Sequence, residues 1–265
     1  MYAHILQHDE DDMHILVTND DGIHTPGLLA LAQEMRQLGK VSVLAPDRNW
    51  SVSGHVKTLH RPLRIKETTL ADGTPALMTD GAPSDCVALA LLGHLEKVDL
   101  VLSGINPYAN IGDDITYSGT VTAAMEAAIA NIPGIAVSLH TTSSFKGERD
   151  YGPAARAARK VAERVIEKGL PPRLTLNVNV PNLPDDEIKG YAITRQGVRI
   201  YKDELIVQMD PKGKPFYWIG GEYPSAHMED GHDYHAIENG YVSITPIQLD
   251  LTDYAIMPKL QEWEF

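Results

Sequence analysis

Apolar residues alternate along this chain between two spacings, one suited to buried strands and one to amphipathic helices. Positions 14–18 (HILVT) form a short, nearly continuous apolar run, the pattern of a strand covered on both faces in a parallel sheet. Residues 26–38 (PGLLALAQEMRQL) then carry Leu28, Leu31, Ala32, Met35 and Leu38 at helical spacing, with Pro26 in the first turn and Gly39 as a stop. A second apolar run at 41–45 follows at once. Strand, helix and strand in this order predict a βαβ unit with a right-handed crossover. The alternation recurs as a helix at 84–96, a strand at 98–102, a helix at 120–130, a strand at 135–139, a helix at 153–168 and a strand at 174–180. It predicts an α/β fold of three layers, doubly wound around a mainly parallel, Rossmann-like sheet.

After about residue 190 the texture changes to YAITRQGVRIYKDELIVQMDP, FYWIGG and GYVSITPIQLDLT, which are β-rich and separated by Gly, Pro and Asp turns. We read them as a β-hairpin-rich C-terminal extension joined to the sheet. The expected organisation is a tail at 1–12, a catalytic core at 13–190 and an extension at 191–265 that is integrated with the core and serves oligomerisation. His55 and His60 flank one further strand-like stretch. Tyr217 and Trp218 read as hairpin packing rather than a base-stacking platform.

Composition narrows the function. A chain of 265 residues can bury one large core without staples. The single Cys86 cannot form an internal disulfide, which points to a buried structural thiol in a reducing, cytoplasmic setting. No apolar run approaches the roughly 20 residues of a membrane helix, so no membrane partner is expected. The net charge of −13 argues against a long nucleic-acid partner. Small anions remain open, because a local metal ion or helix amides can hold them on an acidic protein.

Ligands of open parallel sheets bind beyond the carboxyl ends of the strands, so the residues just after each strand carry the chemistry. Three such loops are rich in oxygen donors: Asn19-Asp20-Asp21-Gly22, PDRNWSVSGH at 46–55 and SGINPYANIGDD at 103–114. Adjacent carboxylates repel, and a nearby helix N-terminus offsets only about 0.3–1 kcal/mol of that. A divalent cation offsets more, and with carboxylate, hydroxyl and amide groups the favoured ion is hard: Mg²⁺, Mn²⁺ or Ca²⁺. Ordinary turn chemistry is the competing explanation of Asn-Asp-Asp-Gly. Neither a P-loop nor G-x-G-x-x-G follows any strand. The better phosphate cradle is YSGTVTAAMEAA at 117–128, where Ser118, Gly119 and Thr120 open a helix of small residues; a plain Ser/Thr N-cap explains the same residues. His227, His232 and His235 lack ligand spacing and read as surface-loop histidines, while Asp233 beside them can reach a site as an acid or through a partner.

The segments VTNDDGIHTPG, APDRNWSVSGH, SGINPYANIGDDITYSGTV and GYVSITPIQLDLT resemble, in this order, the signature segments of the SurE stationary-phase survival proteins, which are metal-dependent 5′-nucleotidases. LNVNVP at 176–181 and DGAPSDCV at 80–87 fit as well, and the likeness runs over 13–252. It implies one divalent cation per subunit, Mg²⁺ or Mn²⁺ with Ca²⁺ as a substitute in crystals, held by Asp20, Asp21, Ser51 and Asn106. It also implies a phosphate pocket around Asn110, Ser118, Gly119 and Thr120, and a homodimer or homotetramer built partly through the extension. The implied activity is hydrolysis of nucleoside 5′-monophosphates, with 3′-monophosphates or short polyphosphate as further substrates in some members. Pro107 and Tyr108 stand where the family often has glycine, and Trp50 takes a usually polar position; these departures bear on loop shape and substrate preference.

The expected catalytic set is Asp20, Asn106 and Ser118. Water activated by the metal would attack phosphorus in line, with Asp20 orienting or deprotonating it; direct attack by Asp20 is equally compatible with the sequence. Two alternatives stand beside this one. In a D-x-D-G-T phosphatase, alignment on the glycine places Asn19 at the nucleophile, and an amide cannot form the acyl-phosphate. The other is a metal-stabilised nucleotide-binding or scaffold protein without turnover.

Overall fold

The computed structural model describes residues 13–141 and 145–264; the expected tail at 1–12 lies outside them. In chain order the elements are β1 (His14–Thr18), α1 (Pro26–Met35), β2 (Lys40–Pro46), β3 (Ile65–Thr69), β4 (Pro75–Thr79), α2 (Pro83–Leu89), a π-helical turn (Ala90–His94) and β5 (Leu100–Asn106). A 3₁₀ turn (Gly112–Thr116), α3 (Gly119–Ile129), β6 (Gly134–His140), α4 (Gly152–Lys168) and β7 (Leu174–Pro181) complete the core. The extension adds β8 (Tyr191–Ile193), β9 (Arg199–Met209), β10 (Pro215–Ala226), α5 (Asp233–Glu238), β11 (Val242–Gln248) and α6 (Met257–Gln261).

A nine-stranded sheet runs β3-β4-β2-β1-β5-β6-β7-β11-β8. Pairing is parallel from β4 through β2, β1, β5 and β6 to β7, while β3 and β11 pair antiparallel with their core neighbours β4 and β7. The chain winds outward from β1 in one direction to β2 and in the other to β5, so the crevice between β1 and β5 is the switch point where such sheets bind ligands. The alternation along β1 explains the layers. Ile15 and Val17 join the core formed with α1 and α4, whereas Leu16 faces the cluster of Cys86, Val87, Ala123 and Ala127 from α2 and α3. Cys86 is fully buried, and burial pushes its thiol pKa far up, so it acts as a small core residue.

The structure departs from the sequence reading in specific places. The 84–96 helix ends as α-helix at Leu89 and finishes in the π turn, where Gly93 takes φ 113°. The β3–β4 hairpin carries Lys66 and Glu67 on an exposed edge strand, and so lacks the apolar run that marks buried strands. The stretch between His55 and His60 forms no strand; Thr58 N–H instead donates to Asp85 of α2, and the His55 and Lys57 side chains pair with Glu126 of α3. In the extension, β11 and β8 continue the core sheet beyond β7. The β9–β10 pair forms a separate two-stranded sheet. Tyr217 and Trp218 are about 60 % exposed on it, so they are not packed within this chain. His232, expected on a surface loop, is buried, while His227 is exposed. Among the described residues no helix is long and apolar enough to cross a membrane.

Close helix-to-sheet packing depends on Gly134 at the start of β6, where a Cβ would sit 2.2 Å from the Ala124 carbonyl oxygen of α3. Gly134→Ala must displace the helix that faces the carboxylate pair. It should lower stability by about 1–3 kcal/mol in urea unfolding; an unchanged midpoint would contradict this packing.

Candidate active site

At the end of β1, the residue that closes the turn is Asn19, not either aspartate. Asn19 is fully buried; its Oδ1 accepts from Gly22 N–H (3.2 Å), and its Nδ2 donates to the Gly22 carbonyl (3.1 Å) and Thr25 Oγ1 (2.7 Å). Turn chemistry is therefore satisfied by the amide. Asn19 is also fully engaged where a D-x-D-G-T enzyme would need its nucleophile. The two carboxylates are left over for another purpose.

Asp20 is 3 % exposed and points at the first turn of α3. The Thr120 hydroxyl donates to its Oδ1 at 2.5 Å across a separation of 100 residues. Gly119 makes this approach possible, because a Cβ there would lie 2.8 Å from Asp20 Cβ, 2.9 Å from its Oδ2 and 3.1 Å from Ser53 Oγ. Burial nevertheless raises the Asp20 pKa, against the hydrogen bonds from Thr120 and the local backbone. Asp21 is half-buried beside it, and burial, reinforced by the neighbouring Asp20 charge, lifts its pKa to about 7; Arg149 pulls the other way. These two groups are held in place yet short of positive charge.

The second loop reaches the pair through Trp50, whose N–H donates to the Asp20 carbonyl at 2.7 Å. Ser51 follows, exposed, with its N–H donating to Asn49 Oδ1. Val52, next to it, takes φ +60°, a left-handed conformation that is costly for a β-branched residue and persists only where the surroundings impose it. Gly54 ties this loop to α3, donating to the Tyr117 carbonyl and accepting from Thr122 Oγ1. The third loop presents Asn106 at the end of β5; its Nδ2 donates to the Tyr108 carbonyl at 2.5 Å, which leaves Oδ1 to face outward as an oxygen donor.

The residues expected at phosphate are distributed differently. Ser118 caps α3, its Oγ accepting from Val121 N–H at 3.1 Å, and its hydroxyl hydrogen remains to donate elsewhere. Thr120 and Gly119 serve Asp20 first. Asn110 is buried and triangulated: its N–H donates to Asn179 Oδ1, its Nδ2 to Ser138 Oγ, and its carbonyl accepts from Asn177 and Asn179.

Sequence reasoning missed two supports, Arg149 and Ser53, and left the role of Asp233 open. Arg149 donates from Nε to the Pro107 carbonyl (3.1 Å), and its guanidinium lies 4.7 Å from the Tyr108 ring centroid. Ser53 Oγ stands beside Gly119, 3.1 Å from the place a Cβ there would take. Asp233, fully buried, accepts from Gly112 N–H (2.8 Å), Gly197 N–H (3.0 Å) and Tyr234 N–H (2.8 Å), so the extension grips the loop that carries Asn106 and Asn110. Nothing local in the sequence marks contacts between such distant positions.

The donor set fits a hard divalent cation. Among the described residues no three His, Cys, Asp or Glu side chains converge on a common point, so a nitrogen- or sulfur-rich zinc site is not what this geometry offers. Two carboxylates with raised pKa values, next to loops that carry the Ser51 hydroxyl and the Asn106 amide, are the oxygen donor types that Mg²⁺ or Mn²⁺ takes.

Comparison with known proteins identifies the family. The family described as "Survival protein SurE" matches residues 15–203. The protein named 5′-nucleotidase SurE from Chloroflexus aggregans is 50 % identical over 254 residues, covering 96 % of this chain and 100 % of its own. The one from Herpetosiphon aurantiacus is 51 % identical over 242 residues, covering 91 % and 94 %. The crystal structure of the SurE protein from Aquifex aeolicus superposes with a TM-score of 0.78 at 43 % identity, over 94 % of this chain and 98 % of that one. With a family match over most of its length and half-identical relatives covered end to end, the chain belongs to the SurE survival-protein family.

Proposed function

We propose that this protein is a divalent-metal-dependent phosphomonoester hydrolase that converts nucleoside 5′-monophosphates to nucleoside and inorganic phosphate. The observation that carries the proposal is the charge-deficient pair of buried Asp20 and half-buried Asp21 at the β1–β5 switch point, next to loops rich in oxygen donors. The names of the Chloroflexus and Herpetosiphon relatives support the same reaction class. Asp20, Asp21, Ser51 and Asn106 would hold one Mg²⁺ or Mn²⁺ per subunit. When bound, the cation supplies charge for the phosphoryl oxygens and acidifies water.

The chain's own residues then have separate tasks. The Thr120 hydroxyl fixes Asp20 so that its other oxygen, Oδ2, can orient an attacking water and take its proton. Ser118, with its lone pair committed to Val121 N–H, donates its hydroxyl hydrogen to a phosphoryl oxygen. Asn110, immobilised by four hydrogen bonds, shapes the floor below the substrate. Arg149 places a cation next to Asp21, where it offsets the charge of the incoming phosphate. Nucleoside 3′-monophosphates and short polyphosphate present the same phosphoryl group and are the further substrates to screen. The exposed apolar face of β9–β10, with Leu205, Val207, Tyr217 and Ile219, supports assembly into a homodimer or homotetramer.

Phosphate release from AMP should require Mn²⁺ or Mg²⁺ and stop with EDTA. Asp21→Asn should lower kcat/KM by on the order of 100-fold or more while leaving the circular-dichroism spectrum unchanged. Full activity in that variant, or nucleotide binding without release under any metal, would overturn the hydrolase reading.

The raised Asp21 pKa gives a second expectation. In the cation-free protein its folded pKa of about 7 exceeds the ordinary 3.8. Its contribution to stability is therefore fully present below the ordinary value and lost as pH rises through about 7. Mn²⁺ binds the ionised form, so the rise in Tm that it produces should be larger at pH 8 than at pH 5.5. Asp21→Asn should make the cation-free protein more stable at pH 8 and abolish the Mn²⁺ effect. Equal Mn²⁺ shifts at both pH values would contradict the assignment.

A further inference from the structure

Beside Asn110 opens a cavity of about 230 Å³, walled by Ile111, His140, Arg199, Tyr223, Ser225 and Tyr234. Its inner wall is the loop after β5 and the end of β6; its outer wall belongs entirely to the extension. Because β6 pairs directly with β5, the cavity starts roughly 5 Å, one strand spacing, from the strand that ends in Asn106. Arg149 and Tyr108 bridge the interval. Arg149 acts on Asp21, and both Arg149 and Tyr108 act electrostatically on the Tyr223 hydroxyl. Arg149, stacked on Tyr108 and bonded to the Pro107 carbonyl, thus lies close to both the carboxylate pair and the cavity wall.

The lining selects the occupant. The Arg199 side chain is 6 % exposed and lies 2.8 Å from Asp114 Oδ2, so its charge is already neutralised. Tyr201 donates to the same carboxylate at 2.6 Å. Glu238 on the rim pairs with His140 at 2.9 Å and adds negative charge. A second phosphate is therefore disfavoured here. What remains is aromatic: Tyr223, 54 % exposed, offers a free ring face, and Tyr234 stands edge-on to His140 at 6.3 Å and 86°. The volume is below that of pockets for drug-sized ligands, which start at roughly 300 Å³, and suits a single planar ring system. Asp233 ties both walls together through Gly112 and Gly197, so the cavity exists before any ligand arrives.

We propose that this cavity is the nucleoside-base subsite, in which an uncharged heteroaromatic base stacks against Tyr223 and Tyr234 while its phosphate lies at the carboxylate pair. The assignment rests on the hydrolase reading above, and it makes the extension, rather than the catalytic loops, the part that distinguishes a nucleotide from another phosphate ester.

AMP and ribose 5-phosphate differ only by the base, so steady-state kinetics with the two, in the presence of Mn²⁺, isolates the subsite. The wild-type protein should prefer AMP. Tyr223→Ala and Tyr234→Ala should each lower kcat/KM for AMP by about ten- to a hundredfold, the scale of one lost stacking partner, mainly through KM. The ratio of AMP to ribose 5-phosphate efficiency should collapse toward one. Tyr223→Phe, which keeps the ring face, should retain the preference. Equal losses on both esters in the alanine variants, or a wild-type protein indifferent to the base, would overturn the subsite. If neither ester were hydrolysed, the hydrolase reading would fall alone, and calorimetric titration with adenosine would decide the subsite. Binding weakened by Tyr223→Ala supports it, and absence of binding to the wild-type protein overturns it.

Discussion

The contact on which the site depends is the hydrogen bond from Thr120 to the buried carboxylate of Asp20. A carboxylate removed from water needs a compensating partner, and here the first turn of α3 supplies a hydroxyl, amides and the positive end of a helix. That compensation is partial, because the Asp20 pKa remains raised. The surrounding structure is arranged to keep this incomplete balance. Gly119 removes the side chain that would push Asp20 away, Trp50 N–H holds its backbone, and Asn19 closes the turn so that neither aspartate has to. On the reading proposed above, this deficit would make the pair a receptor for a cation rather than a structural ion pair.

The extension is bound into the same arrangement. β11 lies in the central sheet beside β7, Asp233 bridges Gly112 and Gly197, and the β9 start is held by Asp113 and Asp114 through the Arg199 backbone and side chain. An alteration in the extension therefore acts on the loop that bears Asn106 and Asn110. The candidate site and the extension share one frame, even though their residues come from opposite ends of the chain.

What could be read from the sequence follows the range of the forces involved. β1 was legible because burial on both faces demands the unbroken run HILVT, and α1 because one face must be apolar at helical spacing. The β3–β4 hairpin was not, since an edge strand carrying Lys66 and Glu67 satisfies no burial pattern. In the site, the paired aspartates stood out as like charges at a strand end, and the resemblance supplied Ser51 and Asn106. The use of Thr120 to hold Asp20 was hidden, because an N-terminal helix hydroxyl reads equally as a cap or a phosphate donor. Arg149 was hidden for a different reason, and the partner of Asp233 stayed open for the same one: each acts across a long separation that only the folded topology closes. His232 showed the converse, a polar residue in a polar stretch that tertiary packing buries.

The claim at the centre is that the carboxylate pair awaits one divalent cation. Counting bound Mn²⁺ by electron paramagnetic resonance, as the ion is titrated into metal-free protein at pH 8, tests it without reference to any substrate. The account predicts one tight Mn²⁺ per chain in the wild-type protein and none in Asp20→Ala. The absence of a tight site in the wild-type protein, or an unchanged count in the variant, would contradict it.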